Sequence, residues 1–343
     1  MKNRLYVVLL LTVLTAGAMS ILVLSSRKTM ETKHGFTRKF SNNKVRLLHA
    51  AVVPHKLFVA GNSDSLIYFH SDNPAFVTYA DTGLHHLGTI PLPVDSISQQ
   101  LAGGFSMSVH YPDVLLYGYN MASILKYNIS QKQQTIIPTP GNFTNAVRVN
   151  DSIFILKYFT GDNIDQAFCL LNSYTGTYQT DSFLTEHDLS ASGSLLYDQP
   201  HARCLYVHQF SNNITIFDTA LHTLPNAHTV DTFTQNHGQY ISHTKTGSDD
   251  VLYKPKGDRM LINYLSHVYE GRLYVNSLIT ADNETILAEQ RETVIDVYDT
   301  NTGKYLESFY VPLGNSKKLS SFRVTGQRLI VTYKDRIAIY EIP

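Results

Sequence analysis

"VIDVYDTNTGKYLESFYVP", residues 294–312, holds an apolar run, an Asp-Thr-Asn-Thr-Gly turn and a second apolar run stopped by Pro312. β-Branched and aromatic residues favour strands for the two runs, and the Asp/Asn/Gly cluster supplies the turn. Whether this is a lone hairpin or one copy of a repeat decides the architecture, because a missed repeat misassigns the whole fold. "YADTGLHHLGTIPLP", residues 79–93, matches it: Leu87 and Leu306 stand at the same offset, as do Pro93 and Pro312. Looser copies of the strand before the turn are ILKYNIS (124–130), FCLLNSYTG (168–176), ITIFDT (214–219) and IAIYEI (337–342).

A short strand-like run precedes each copy: Leu57-Phe58-Val59, Leu115-Leu116-Tyr117, Ile153-Phe154-Ile155, Leu205-Tyr206-Val207, Leu273-Tyr274-Val275 and Leu329-Ile330-Val331. Apolar residues are nearly continuous in these runs, whereas a sheet with one wet face alternates apolar and polar. Both sheet faces are therefore covered. Sheets stacked around an axis supply that cover, and a repeat of about 45 residues suits a four-stranded propeller blade. The expected fold is all-β, a six-bladed β-propeller; seven blades is the alternative, since the interval from Phe217 to Tyr298 has room for a degenerate one. The last copy reaches Pro343 without a fourth strand, and Phe36–Val45 is expected to supply it from the other end.

On these residues the chain resembles the TolB-like and NHL-like six-bladed propellers, secreted or membrane-anchored, of Bacteroidetes-type bacteria. The resemblance spans residues 36–343 at the level of blade pattern and implies a fold and a compartment. It implies no activity, because propellers host many functions.

The N-terminus supports the same compartment. Leu5–Leu24 is free of charge, with Lys2 and Arg4 before it and Arg27 and Lys28 after it. As a helix it spans about 30 Å, the thickness of a bilayer core. Residues 1–28 are thus expected to be a signal-anchor or transmembrane segment, 29–35 a linker and 36–343 the propeller. The alternative is a signal cleaved near Ala16-Gly17-Ala18, giving a secreted protein. Lipidation is excluded at this site, because Leu14-Thr15-Ala16-Gly17 is followed by Ala18 and not by cysteine. The short basic tail remains inside, which places the propeller outside the cytoplasm, in the periplasm or at the cell surface.

In all, 343 residues carry 28 Lys and Arg against 28 Asp and Glu, so no basic field recruits nucleic acid. Cys169 and Cys204 are the only cysteines. They read either as two small buried side chains in neighbouring strands or as a disulfide in an oxidising compartment.

Naming each blade's strands A to D outward, the B–C and D–A loops share one face. The B-to-C spacings are long in blades one, three and five, and the longest D–A connection, residues 234–258, opens on that face too. Loops lengthen cheaply and often carry function. A protein partner or small ligand is expected there, with 234–258 as rim or lid and His237, His243, Asp249, Asp250 and Lys254 as candidate binding residues.

Motifs for chemistry are sparse. No HExxH, CxxC or EF-hand pattern accompanies the 15 histidines, and adjacent His85 and His86 in a strand point to opposite faces. Neither GxSxG, a P-loop nor GxGxxG occurs, so no cofactor or metal is expected and no catalytic residue is assigned. Asp218, Asp299 and Glu341, each just after a C-strand aromatic, read as turn and strand-end residues. Two functions follow: a binding module without chemistry, or a propeller enzyme (hydrolase, lyase or quinoprotein-like oxidoreductase) whose polar groups converge on the central channel from separate blades.

Overall fold

Residues 294–312 form the hairpin that their sequence specifies. Glu292–Asp299 pairs antiparallel with Tyr305–Pro312, placing Ile295 opposite Phe309. The turn is built on Asp299: the backbone N–H and the hydroxyl of Thr302 both donate to its Oδ1 at 2.7 Å. Gly303 follows with a φ of +68°, where a side chain is strained. The same device recurs in the other copies. Asp81 accepts from the N–H groups of Gly83, His85 and His86, and Asp218 from those of Ala220 and His222.

The computed structural model describes residues 6, 11–21, 33–94, 97–101, 104–160, 165–181, 189–244, 251–284 and 291–343. After β1 (Arg46–Val52) come four-stranded antiparallel units in chain order. Unit 1 is β2 (Phe58–Asn62), β3 (Leu66–His70), β4 (Phe76–Asp81) and β5 (Leu87–Pro91). Unit 2 is β6 (Phe105–His110), β7 (Asp113–Gly118), β8 (Ser123–Asn128) and β9 (Gln133–Pro138). Unit 3 is β10 (Phe143–Arg148), β11 (Ile153–Phe159), β12 (Gln166–Asn172) and β13 (Tyr178–Asp181). Unit 4 is β14 (Gly193–Asp198), β15 (Arg203–His208), β16 (Asn213–Asp218) and a two-residue β17 (Ala227–His228). A separate hairpin, β18 (Tyr240–Thr244) and β19 (Val251–Pro255), precedes unit 5: β20 (Asn263–Tyr269), β21 (Arg272–Ser277), β22 (Glu292–Asp299) and β23 (Tyr305–Pro312). The last sheet, unit 6, holds β24 (Ser321–Thr325), β25 (Arg328–Thr332), β26 (Arg336–Glu341) and, as its outer strand, β1.

Apolar layers between successive units explain the unbroken apolar runs. In β7, Leu115 packs with Phe143 and Phe154 of unit 3, whereas the adjacent Leu116 packs with Tyr68 and Val77 of unit 1. In β21, Leu273 and Val275 face unit 4, and Tyr274 faces unit 6. Side chains alternate across a strand, so a strand buried on both faces has no polar positions in its middle. Ile330, Ile337 and Ile339 of unit 6 join Leu57, Ile67 and Phe69 of unit 1, which makes the series of layers circular.

Two expectations are corrected in detail. The closing strand is β1, with Ala50 opposite Ala338 and Val52 opposite Arg336; Phe36–Val45 lies ahead of it. Leu57-Phe58-Val59 leads into the innermost strand of unit 1, not its second strand, which is β3. The long spacing read for that unit therefore counted one strand too many, and its true B–C connection is only 71–75. Among the described residues, the interval from Phe217 to Tyr298 holds the β18–β19 hairpin and unit 5, with no further four-stranded unit.

Residues 33–41 strap across unit 5. The backbone N–H groups of His34 and Gly35 donate to the Asp282 carboxylate, and Phe36 packs on Ile262, Ile279 and Ala281. Arg38 is buried between Glu284 and Asp296, giving its Nε to Asp296 Oδ1 at 2.8 Å and an Nη1 to Glu284. Burial alone lowers the pKa of Arg38, and the two carboxylates more than reverse this. Within Leu5–Leu24, residues 6 and 11–21 are helical; among the described residues no helix is long and apolar enough to cross a membrane.

Candidate functional site

Strand direction decides where side chains can converge. The innermost strands β2, β6, β10, β14, β20 and β24 run toward one face, where the A–B and C–D turns lie. At that end they surround a cavity of about 1310 Å³. All six contribute, through Asn62, His110, Arg148, Asp198, His267 and Arg323. Wide spacing in sequence thus becomes proximity in space, since each residue lies at or near the end of an innermost strand. Between β2 and β6 a parallel bridge joins Gly61 to Val109. A Cβ at Gly61 would meet the Val109 carbonyl oxygen at 2.0 Å, so only glycine fits.

Charges in the cavity are mostly paired. Asp113 accepts Lys126 Nζ and Arg148 Nη1 on one oxygen, both at 3.1 Å, and Asn128 Nδ2 on the other at 3.0 Å. Burial would raise the Asp113 pKa, but these donors, Lys126 foremost, hold it below the ordinary value. Arg148 also bridges to Asp151 at the rim. Asp198 is buried and accepts from His201 Nδ1 at 2.7 Å and the Thr300 hydroxyl at 2.5 Å. Arg323 differs, giving its Nε to Asn62 Oδ1 at 2.7 Å.

Two histidines flank Arg323. The Val324 backbone N–H donates to His267 Nδ1 at 3.2 Å, which leaves the ring proton on Nε2. Burial and then the Arg323 charge hold His267 well below its ordinary pKa, so it is neutral at pH 7. His110 is lowered by burial, then by Arg323 and Arg148, against a smaller opposing effect of Asp113. Its ring is open to the cavity, so water there offsets part of the burial effect.

The residues singled out in the long connection lie elsewhere. His237 donates its backbone N–H to the Phe210 carbonyl and meets the Phe233 ring edge-on; Lys254 is exposed on β19, and the backbone of His243 lies in β18. Asp249 and Asp250 lie outside the described residues. Neither His237 nor Lys254 lines the cavity, which opens on the opposite face. Arg259 stacks on Phe210 and Tyr240 at 4.3 and 4.8 Å, pinning the base of the hairpin. Cys169 and Cys204 are free, buried thiols in different layers, one between units 2 and 3, the other between units 3 and 4. Burial pushes the Cys169 thiol up to about 12. Among the described residues no group of three or more His, Cys, Asp or Glu could hold a metal ion.

The fold has solved counterparts. The crystal structure of virginiamycin B lyase from Staphylococcus aureus aligns with a TM-score of 0.52 at 8% identity, covering 88% of this chain and 100% of that one. A member of the DUF4221 family from Bacteroides vulgatus aligns at 0.52 and 11% identity, covering 90% and 98%. A protein of unknown function from Bacteroides thetaiotaomicron aligns at 0.52 and 11%, covering 88% and 73%. These neighbours are β-propeller-like, and at such identities the likeness shows the fold alone. The chain matches no family model and none of the curated proteins.

Proposed function

We propose that this chain is a six-bladed β-propeller, anchored outside the cytoplasm by Leu5–Leu24, which binds a small ligand in its central cavity. One observation carries the binding role: all six innermost strands bring polar side chains to a single cavity of about 1310 Å³. That volume exceeds the roughly 300–1,000 Å³ of ordinary small-molecule pockets. Six circularly packed units support the blade number, and a charge-free run with basic flanks supports the anchor.

The strap orients the domain. Between Leu24 and Lys33 at most about 30 Å of chain is available. His34 to Arg38 dock on the B–C connection of unit 5, on the face opposite the cavity. The cavity therefore points away from the membrane, and the β18–β19 hairpin lies on the membrane side, where a partner would itself be membrane-bound. A propeller enzyme is the second reading, favoured by His267, whose neutral ring keeps Nε2–H as a hydrogen-bond donor for an oxygen that gains charge in a reaction.

Two experiments test the proposal. Membrane-impermeant maleimide should label Asp151→Cys and Lys254→Cys in intact cells without background, because the native thiols are buried; absence of labelling at both sites, with full labelling after lysis, would place the domain inside. A thermal-shift screen on the full-length chain in detergent should yield small molecules that stabilise the native protein but not Ser108→Trp, whose indole intrudes on the cavity beside His110.

A further inference from the structure

Arg323 stands apart from the other cations of the cavity. Lys126 and Arg148 reach Asp113, and Arg148 also reaches Asp151. Arg323 bonds through Nε to a neutral amide, Asn62 Oδ1, and among the described residues no carboxylate lies within ion-pair reach and neither terminal amino group has an acceptor. Burial lowers its pKa and no neighbouring carboxylate raises it back. Arg323 is only partly buried, and it lines the cavity without an ion partner there.

Asp113, Asp151, Asp198 and Glu270 also line the cavity, but none is within ion-pair reach of Arg323, whose near neighbours are donors. His267 carries its proton on Nε2, because Nδ1 accepts the Val324 N–H. That bond joins β20 to β24, so the strand that carries Arg323 also fixes the histidine tautomer. His110 enters from unit 2 and feels both Arg323 and Arg148 as positive neighbours. Asn62 from unit 1 holds the fork of Arg323 in place through its Nε edge, leaving the Nη edge for a ligand. Two parallel N–H donors in one plane match the two oxygens of a carboxylate or of a phosphate.

We propose that Arg323, with His267 and His110, forms an oxyanion-binding site at the centre of the ring, which takes a small molecule through its carboxylate or phosphate group. This rests on the ligand-binding role of the cavity proposed above and gives that ligand a chemical class. The remaining volume accommodates the body of the molecule, flanked by Tyr197, Tyr269 and Tyr111.

The test is calorimetric and thermal titration of the full-length chain in detergent with inorganic phosphate and, separately, citrate; the two arms distinguish the sources of the oxyanion. At least one should bind saturably and raise the melting temperature. Arg323→Gln should weaken it by about tenfold or more, the scale of a bidentate charge-assisted pair. Arg323→Lys, which keeps the charge and loses the fork, should fall between the two. Arg46→Gln, on the outer edge beside Glu341, should bind as the native protein does. Without anion, Arg323→Gln should melt no lower than the native chain, since it removes an unpaired charge. Unchanged anion affinity in Arg323→Gln, or a lowered melting temperature with the same affinity, overturns the site. If neither anion binds while neutral compounds stabilise the native chain and not Ser108→Trp, the oxyanion site fails and the cavity remains a ligand site. If nothing binds, both fail.

Discussion

Arg38 Nε donates to Asp296 Oδ1 at 2.8 Å, joining residues 258 positions apart in the chain. Ser308 Oγ gives a hydrogen bond to the same oxygen, and Arg38 also holds Glu284, so one cation balances two buried carboxylates. Replacing it uncovers both. Arg38→Met is expected to cost about 3–5 kcal/mol, the range for breaking a buried pair from one side. Urea unfolding measures this; a loss below about 1 kcal/mol would show that the strap is dispensable.

That ion cluster was not legible in the sequence, because nothing local connects Arg38 with Asp296. The repeat was legible, since every unit repeats an apolar pair of strands and units 1 to 5 add an Asp- or Asn-based turn. Asp218 and Asp299 proved to be turn residues for a visible reason: their carboxylates accept the N–H groups of the turn. Closure was read one strand early, because Phe36–Val45 and Arg46–Val52 are adjacent and only pairing with β26 tells them apart. The cavity residues were missed outright. Asn62, His110, His267 and Arg323 come from four units and share no motif; their common signal is position, at or near the end of an innermost strand. Loop length pointed instead to the opposite face.

Closure by β1 gives a sharp expectation. Removing residues 46–52 from the full-length chain leaves β26 with an open edge and uncovers the layer between units 6 and 1. Such a chain should lose its cooperative thermal transition, followed by circular dichroism. A retained sharp transition would mean that another segment closes the ring.

Gly61→Ala should be severely destabilising, by about 3 kcal/mol or more, because the new methyl group overlaps the Val109 carbonyl oxygen on the neighbouring backbone. Gly176→Ala is the contrast: a Cβ there meets nothing within 4 Å, and only its φ of +72° costs, about 1 kcal/mol. Equal losses at the two sites would contradict the close approach of β2 and β6.

His267 sets a pH dependence with a definite sign. Its folded pKa lies below its unfolded value of about 6.5. The unfolded chain therefore binds a proton that the folded chain refuses. Stability is greatest above pH 6.5 and falls as the pH drops from there toward the folded pKa. His267→Gln should flatten the fall of melting temperature between pH 7 and pH 5, and Arg323→Gln should raise the imidazole pKa in an NMR titration. A histidine that titrates normally in both proteins would remove Arg323 from its neighbourhood.

The central claim is that the cavity framed by the six innermost strands holds a small molecule. Native mass spectrometry of the full-length chain, purified from its own membranes in detergent, measures this without knowledge of the ligand. The expected result is an adduct on the native chain that is absent from Ser108→Trp and depleted in Arg323→Gln, at equal melting temperatures. An adduct retained in full by Ser108→Trp, or a native chain at its bare mass beside a screen that yields no stabilising compound, would contradict it.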